Sequence, residues 1–153
     1  MNYRMISKIL GRVMAVEAAL MVPPALTAVY YGESPLPFVY TLLIAAALFA
    51  LLTLPKLRHH DIYAREGFVS VALSWLLMSL VGALPFVFSG EMPNYFDAFF
   101  EIVSGFTTTG ASVAANVEEL TRGSLLWRSL SHWIGGMGVR VFIMAVLPLS
   151  EER

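Results

Sequence analysis

The sequence predicts an all-α membrane protein, with four transmembrane helices plus one short re-entrant helix that runs into an extended threonine–glycine segment. Three observations carry this. Of 153 residues, 58% are hydrophobic and only 14% are charged, with a mean hydropathy of +0.70, a balance that belongs to membrane chains rather than soluble domains. Four apolar tracts, Val13 to Tyr31, Pro37 to Leu54, Gly67 to Phe88 and Ser124 to Leu149, have the length of about 20 residues that a spanning helix needs. A fifth, Tyr95 to Phe106, covers only about 18 Å at about 1.5 Å per residue, against a hydrocarbon core of about 30 Å, so it can only dip in and turn back.

The first tract follows Arg4, Lys8 and Arg12, and its "ALTA" mimics a signal-cleavage site. Its length and the three further tracts make it a retained helix rather than a secretory signal. Pro23 and Pro24 predict a kink inside it, because a proline removes a backbone donor and clashes with the preceding turn. Tolerance of proline in membrane helices makes packing the simpler role, with a hinge as the alternative. Glu17 lies about one turn beyond Arg12 and is expected to pair locally or reach the interface rather than to act as a buried ionisable site.

"YGESPLP" separates the first and second tracts, and "PKLRHHDIYARE" the second and third. His59, His60 and Asp61 in the latter look metal-like, but no third ligand set stands at coordinating spacing, so a solvated loop is expected. The third tract carries no charge, and "SGEMPN" ends it. In the short fifth tract Asp97 suits the first turn of a helix through the dipole. Glu101 lies deeper, where it is expected to fix the following loop through hydrogen bonds rather than bind an ion. In the last tract Ser131, Gly135, Gly136 and Gly138 form a small-residue packing face, with His132 expected to make a polar bond across it. Trp127 is expected at the interface and Trp133 in the core.

Orientation follows from the basic residues. Arg4, Lys8, Arg12, Lys56, Arg58, Arg65 and Arg153 fall on one side if four helices cross, whereas the other side holds Glu33, Glu91, Glu118, Glu119 and Arg122. Both termini are therefore expected to be cytoplasmic, with the threonine run external. A net charge of −1 gives no nucleic-acid footprint, and membrane lipid is the partner that composition implies. There is no cysteine, which excludes disulfides, thiolate metal sites and cysteine nucleophiles. An intramembrane enzyme lacks a nucleophile–base or metal-ligand set.

"GFTTTGAS", Gly105 to Ser112, is the anomaly. Taken alone, "TTTG" fits a turn or a capped helix start as well as anything else. Its context is a spanning helix, a short re-entrant helix, a glycine-bounded threonine segment and another spanning helix. A threonine–glycine strand there offers a row of carbonyl oxygens that can replace a cation's hydration shell, and glycine at 110 permits dihedrals that a Cβ penalises.

"DAFFEIVSGFTTTGAS" (Asp97 to Ser112) followed by "WRSLSHWIGGMGVRVFIMAVLPL" (Trp127 to Leu149) resembles the first pore repeat of the Trk/Ktr/HKT superfamily of potassium transporters, most closely its TrkH-type subunits. The resemblance runs from about Arg65 to Leu149, and residues 1–64 look like the helix pair that precedes the repeats. It implies residues 65–153 as the first helix–pore loop–helix repeat, with an extended selectivity-filter strand formed by Thr107, Thr108, Thr109 and Gly110. Carbonyls of Thr108, Thr109 and Gly110 then contact K+, the transported ion, and no cofactor is implied. Gly110 matches the filter glycine tied to potassium preference, and Gly105 the glycine ending the pore helix.

Four such repeats surround one pathway in the family, so the remaining repeats, or copies of this chain, are implied partners. The resemblance further implies a homodimer of full-length chains, a cytoplasmic nucleotide-binding regulatory subunit and the plasma membrane of a bacterium or archaeon. Arg140 departs from the pattern, standing in "GGMGVRVF" where the family usually has an apolar residue. It is a candidate gating or pathway charge. The functional expectation is potassium uptake across the plasma membrane, as the N-terminal part of a pore subunit. The alternative is a non-conducting membrane assembly module or a truncated pore-subunit fragment.

Overall fold

The structure, a computed structural model, describes residues 3–54 and 64–151. Among the described residues the regular elements are all helices, with no strand: α1 (Tyr3–Leu20), α2 (Val22–Tyr30), α3 (Leu36–Thr53), α4 (Ala64–Gly82), α5 (Leu84–Phe88), α6 (Tyr95–Phe106), a 3-10 turn (Val117–Glu119) and α7 (Arg122–Glu151). Among the described residues three stretches are long and apolar enough to cross a membrane, namely Tyr3–Tyr30, Leu36–Thr53 and Arg65–Phe88. The fourth tract lies within the continuous 30-residue α7. The cluster His59, His60 and Asp61 lies outside the described residues.

The expected kink is present. The helix breaks at Met21, and Pro23 and Pro24 fall in the first turn of α2, where a missing donor costs nothing. The third tract breaks in the same way at Ala83, with Pro85 opening α5. That second break was not anticipated, although its cause is the same.

Packing in such a chain relies on close backbone approach and van der Waals contact, since lipid supplies little apolar driving force between helices. Helix α1 packs on α3 and α4, and α7 on α2 and α6. Gly11 lies so near α3 that an added Cβ would stand 2.8 Å from Thr53 Cγ2. At the centre Trp127 of α7 is fully buried. Its ring meets Phe106 edge-on at 6.3 Å, and its Nε1–H donates to the Gly82 carbonyl at 2.9 Å, a group left free by the α4–α5 break. Trp133, in contrast, is 59% exposed. The two tryptophans thus exchange their expected places. Six residues separate them, or about 240° around the helix at about 3.6 residues per turn, so facing rather than depth decides.

Glu17 also differs from expectation. It is fully buried, neither carboxyl oxygen has a protein partner among the described residues, and Oε1 is turned toward Gly82, where an added Cβ would stand 3.0 Å away. Arg12 is exposed. Five residues place the two side chains about 140° apart on α1, which prevents the local pair.

At the opposite end from Arg4, Lys8 and Arg12, two carboxylates cap α7. Glu33 Oε1 accepts from Arg122 N at 2.9 Å and its Oε2 from Gly123 N at 3.2 Å. Glu91 Oε1 accepts from Thr121 N at 2.6 Å. Anions at a helix N-terminus satisfy free amides and the dipole together. The Arg122 guanidinium sits over the Tyr31 ring at 5.1 Å, as a cation–π contact.

Candidate functional site at the C-terminal end of the short helix

Helix α6 is 12 residues long. Asn94 caps its start, accepting from Phe96 N at 3.0 Å, and Asp97 occupies the first turn, as the dipole favours. Its other end presents the negative pole of the helix dipole, and there the chain turns out as Thr107–Gly110.

The turn is a Schellman closure. Thr108 N donates to Gly105 O at 3.0 Å and Thr109 N to Ser104 O at 2.9 Å, the bond pair that defines that motif. The residue in the left-handed position is Thr108, with φ 58°. A β-branched side chain is an outlier there, where glycine is usual. Gly110 follows with φ 80°, so the expectation that its backbone needs a glycine is met. The strand expected over Thr107–Gly110 is therefore not one. Thr107 and Thr108 finish the helix, and the chain from Thr109 to Ser112 is irregular. The Thr109 and Gly110 amides both donate to the Ser104 carbonyl of α6, not to a neighbouring strand.

All four residues, Thr107 to Gly110, are exposed. Thr107 Oγ1 donates to Val103 O at 2.7 Å and lies 2.9 Å from Thr109 Oγ1. Among the described residues no donor reaches the carbonyls of Thr107, Thr108 or Thr109, whereas Gly110 O lies 3.4 Å from Arg128 Nη2 and Ala111 O accepts from Ser104 Oγ at 2.6 Å. The result is an exposed run of free carbonyl oxygens at the negative end of a helix. Chemically it offers neutral, hard oxygen ligands without a nucleophile, and no cluster of His, Cys, Asp or Glu able to hold a metal occurs among the described residues.

Glu101 holds the returning chain, as expected. Its buried carboxylate accepts from Ser112 Oγ at 2.9 and 3.0 Å, from Val113 N at 3.0 Å and from Arg128 Nε at 2.6 Å. Arg128 was not anticipated. Its signal in the sequence is a basic residue inside the apolar run of α7, which calls for an acidic partner within the protein.

The small-residue face works as expected. A Cβ on Gly135 would fall inside the Phe106 carbonyl, and one on Gly105 would collide with Ser131 Oγ. Helices α6 and α7 therefore touch backbone to backbone. His132 does not bridge them. Its Nδ1 pairs with Arg128 O of its own helix at 2.8 Å, while the ring packs beside α6 and the loop, with Nδ1 3.5 Å from a Cβ placed on Gly105 and Nε2 4.0 Å from one placed on Gly110. Arg140 is apart from the loop. It is exposed on α7, one turn beyond Gly136, whose own Cβ position lies 3.9 Å from Thr108 Cγ2.

Residues 37–152 match the family described as TrkH, cation transport protein. The chain belongs to the TrkH family. The Trk system potassium uptake protein TrkH of Salmonella typhimurium is 39% identical over 97% of this chain and 32% of its own length. That of Halomonas elongata is 38% identical over 97% of this chain and 31% of its own. The crystal structure of the potassium transporter TrkH from Vibrio parahaemolyticus superposes with a TM-score of 0.88 at 38% identity, over 97% of this chain and 32% of that one. This TrkH-family chain thus spans about a third of the length of the relatives it matches.

Proposed function

We propose that this chain forms one wall of a potassium-translocating pathway, as the N-terminal helix pair (1–64) and the first helix–pore loop–helix repeat (65–153) of a TrkH-type pore subunit. Helix α6 is the re-entrant pore helix, α7 is the fourth crossing, and Thr107, Thr108, Thr109 and Gly110 form the filter segment. Carbonyls of Thr108, Thr109 and Gly110 contact the dehydrated ion. The exposed carbonyls at the end of α6 carry this reading, those of Thr107–Thr109 without a donor among the described residues and that of Gly110 3.4 Å from Arg128 Nη2. Such oxygens are costly in lipid and acceptable only where protein encloses them or they line a watery path.

The exposed rings of Phe96 and Phe100 on α6 and a groove of about 520 Å³ between α4 and α6 fit closure of the ring by further repeats. The acidic loops bearing Glu33 and Glu91 lie externally, both termini are cytoplasmic, and the membrane is the plasma membrane of a bacterium or archaeon. Assembly as a homodimer with a cytoplasmic nucleotide-binding subunit extends the proposal from the family resemblance. The test is Gly110→Ser in the complete pathway. A Cβ at φ 80° strains the backbone that orients the carbonyls, so sodium permeates better relative to potassium. An unchanged ratio removes Thr107–Gly110 from the selective site.

Arg140 favours a second reading, in which the segment does not conduct. It lies one turn past Gly136, the residue facing Thr108, so its fixed positive charge can stand beneath the filter and repel cations. In the complete pathway, Arg140→Leu raises rubidium uptake several-fold if the charge faces the ion. Unchanged uptake at equal expression makes Arg140 an interfacial anchor.

A further inference from the structure

We infer that Arg128 is a positioning residue for ion preference, acting through the Gly110 carbonyl; the inference rests on the filter reading above. The guanidinium joins three segments. Its Nε donates to Glu101 of α6 at 2.6 Å, its Nη2 reaches the Gly110 carbonyl at 3.4 Å, and its stem belongs to α7. Nε and Nη2 lie on one edge of a rigid plane, so a single side chain sets the spacing between the pore-helix anchor and the loop carbonyl. Glu101 is completely buried and the Arg128 side chain is only 18% exposed, so neither partner is free to swing out into water.

The remainder of the loop is held on the other side. Ser104 O accepts from Thr109 N and Gly110 N, and Ser104 Oγ donates to Ala111 O. Gly110 is therefore tied through its amide to α6 and through its carbonyl to α7. A carbonyl oxygen has two lone pairs. One engaged by Arg128 leaves the other for an ion, in a direction that the guanidinium plane fixes. Among the described residues the carbonyls of Thr107, Thr108 and Thr109 have no such tie, so Gly110 supplies the loop's fixed reference carbonyl. A lysine in place of Arg128 keeps the charge that balances Glu101 but offers one nitrogen instead of two on a rigid plane. It holds the anchor and releases the carbonyl.

The experiment uses the complete transporter assembly in proteoliposomes, with rubidium uptake measured against increasing sodium for the parent, Arg128→Lys, Gly110→Ser and the double variant Glu101→Gln with Arg128→Gln. Arg128→Lys is expected to reach parental amounts and near-parental maximal uptake, with the rubidium-over-sodium preference reduced several-fold. A merely structural role would lower amount or maximal rate and leave the preference alone, and that outcome overturns the inference. If Arg128→Lys does not accumulate, the double variant decides. It removes both charges together and is too short to tie Gly110, so its preference must fall, and a retained preference overturns the inference. If Gly110→Ser shifts the preference and the Arg128 variants do not, Arg128 alone is refuted. If Gly110→Ser also changes nothing, the filter reading itself fails.

Discussion

Replacing Glu101 by glutamine is expected to cost more stability than any other isosteric change near the loop. The carboxylate accepts from Ser112 Oγ, Val113 N and Arg128 Nε. An amide has one accepting oxygen and one donating nitrogen. In one orientation the NH2 faces the Val113 amide, and in the other it faces Arg128 Nε, so a donor–donor contact follows either way. The Arg128 charge also loses its balance. Breaking a buried pair by removing one partner costs about 3–5 kcal/mol, and the slight exposure of Arg128 puts the value near about 3 kcal/mol. For a domain of about 150 residues that corresponds to a fall in Tm of roughly 6–12 °C. Thermal unfolding of the purified protein in detergent reads it directly. The double variant Glu101→Gln with Arg128→Gln should recover part of the loss, because the two positions are coupled. A fall in the single variant of less than about 2 °C on the same scale, or additive losses in the double variant, would refute the strut.

Three further outcomes are expected. Thr108→Gly relieves a left-handed threonine, so Tm rises by a few degrees, reflecting about 1 kcal/mol; a fall would mean that the threonine methyl against Gly136 outweighs the backbone strain. Gly135→Ala forces apart the backbones of α6 and α7 and costs about 1–3 kcal/mol as overpacking, whereas Gly136→Ala, whose Cβ would meet Thr108 Cγ2 at an ordinary van der Waals distance of 3.9 Å, is near neutral in the same melt. Single cysteines at Ser34 and Glu118 react with an impermeant thiol reagent on intact cells while one at Arg65 does not, and the reverse pattern overturns the external placement of the loop.

What the sequence made legible follows the physics that acts locally. Hydrophobic length alone announced α3 and the short α6, and Pro23 and Pro24 announced the break at Met21. The glycine requirement at 110 and the anchoring role of Glu101 were also readable, because left-handed backbone and a deep carboxylate each need a specific remedy. Other features depended on which way a helix faces. Trp127 and Trp133 exchanged places, Glu17 turned away from Arg12, and His132 bonded within α7, since rotation about a helix axis is set by tertiary packing. The Schellman closure through Thr108 was hidden for another reason. Threonine is a poor choice for φ 58°, and only contacts from α6 and α7 hold it there.

The two carboxylates on the first turn of α7 bear on the order in which the chain is made. Glu33 lies between α2 and α3 and Glu91 between α5 and α6, and both are synthesised before the amides at 121–123 that they receive. Both acceptors are therefore already in the chain when the amides of α7 are made. Two connections some thirty and ninety residues upstream thus hold one helix start, so segments far apart in the sequence are tied together at that end of the bundle.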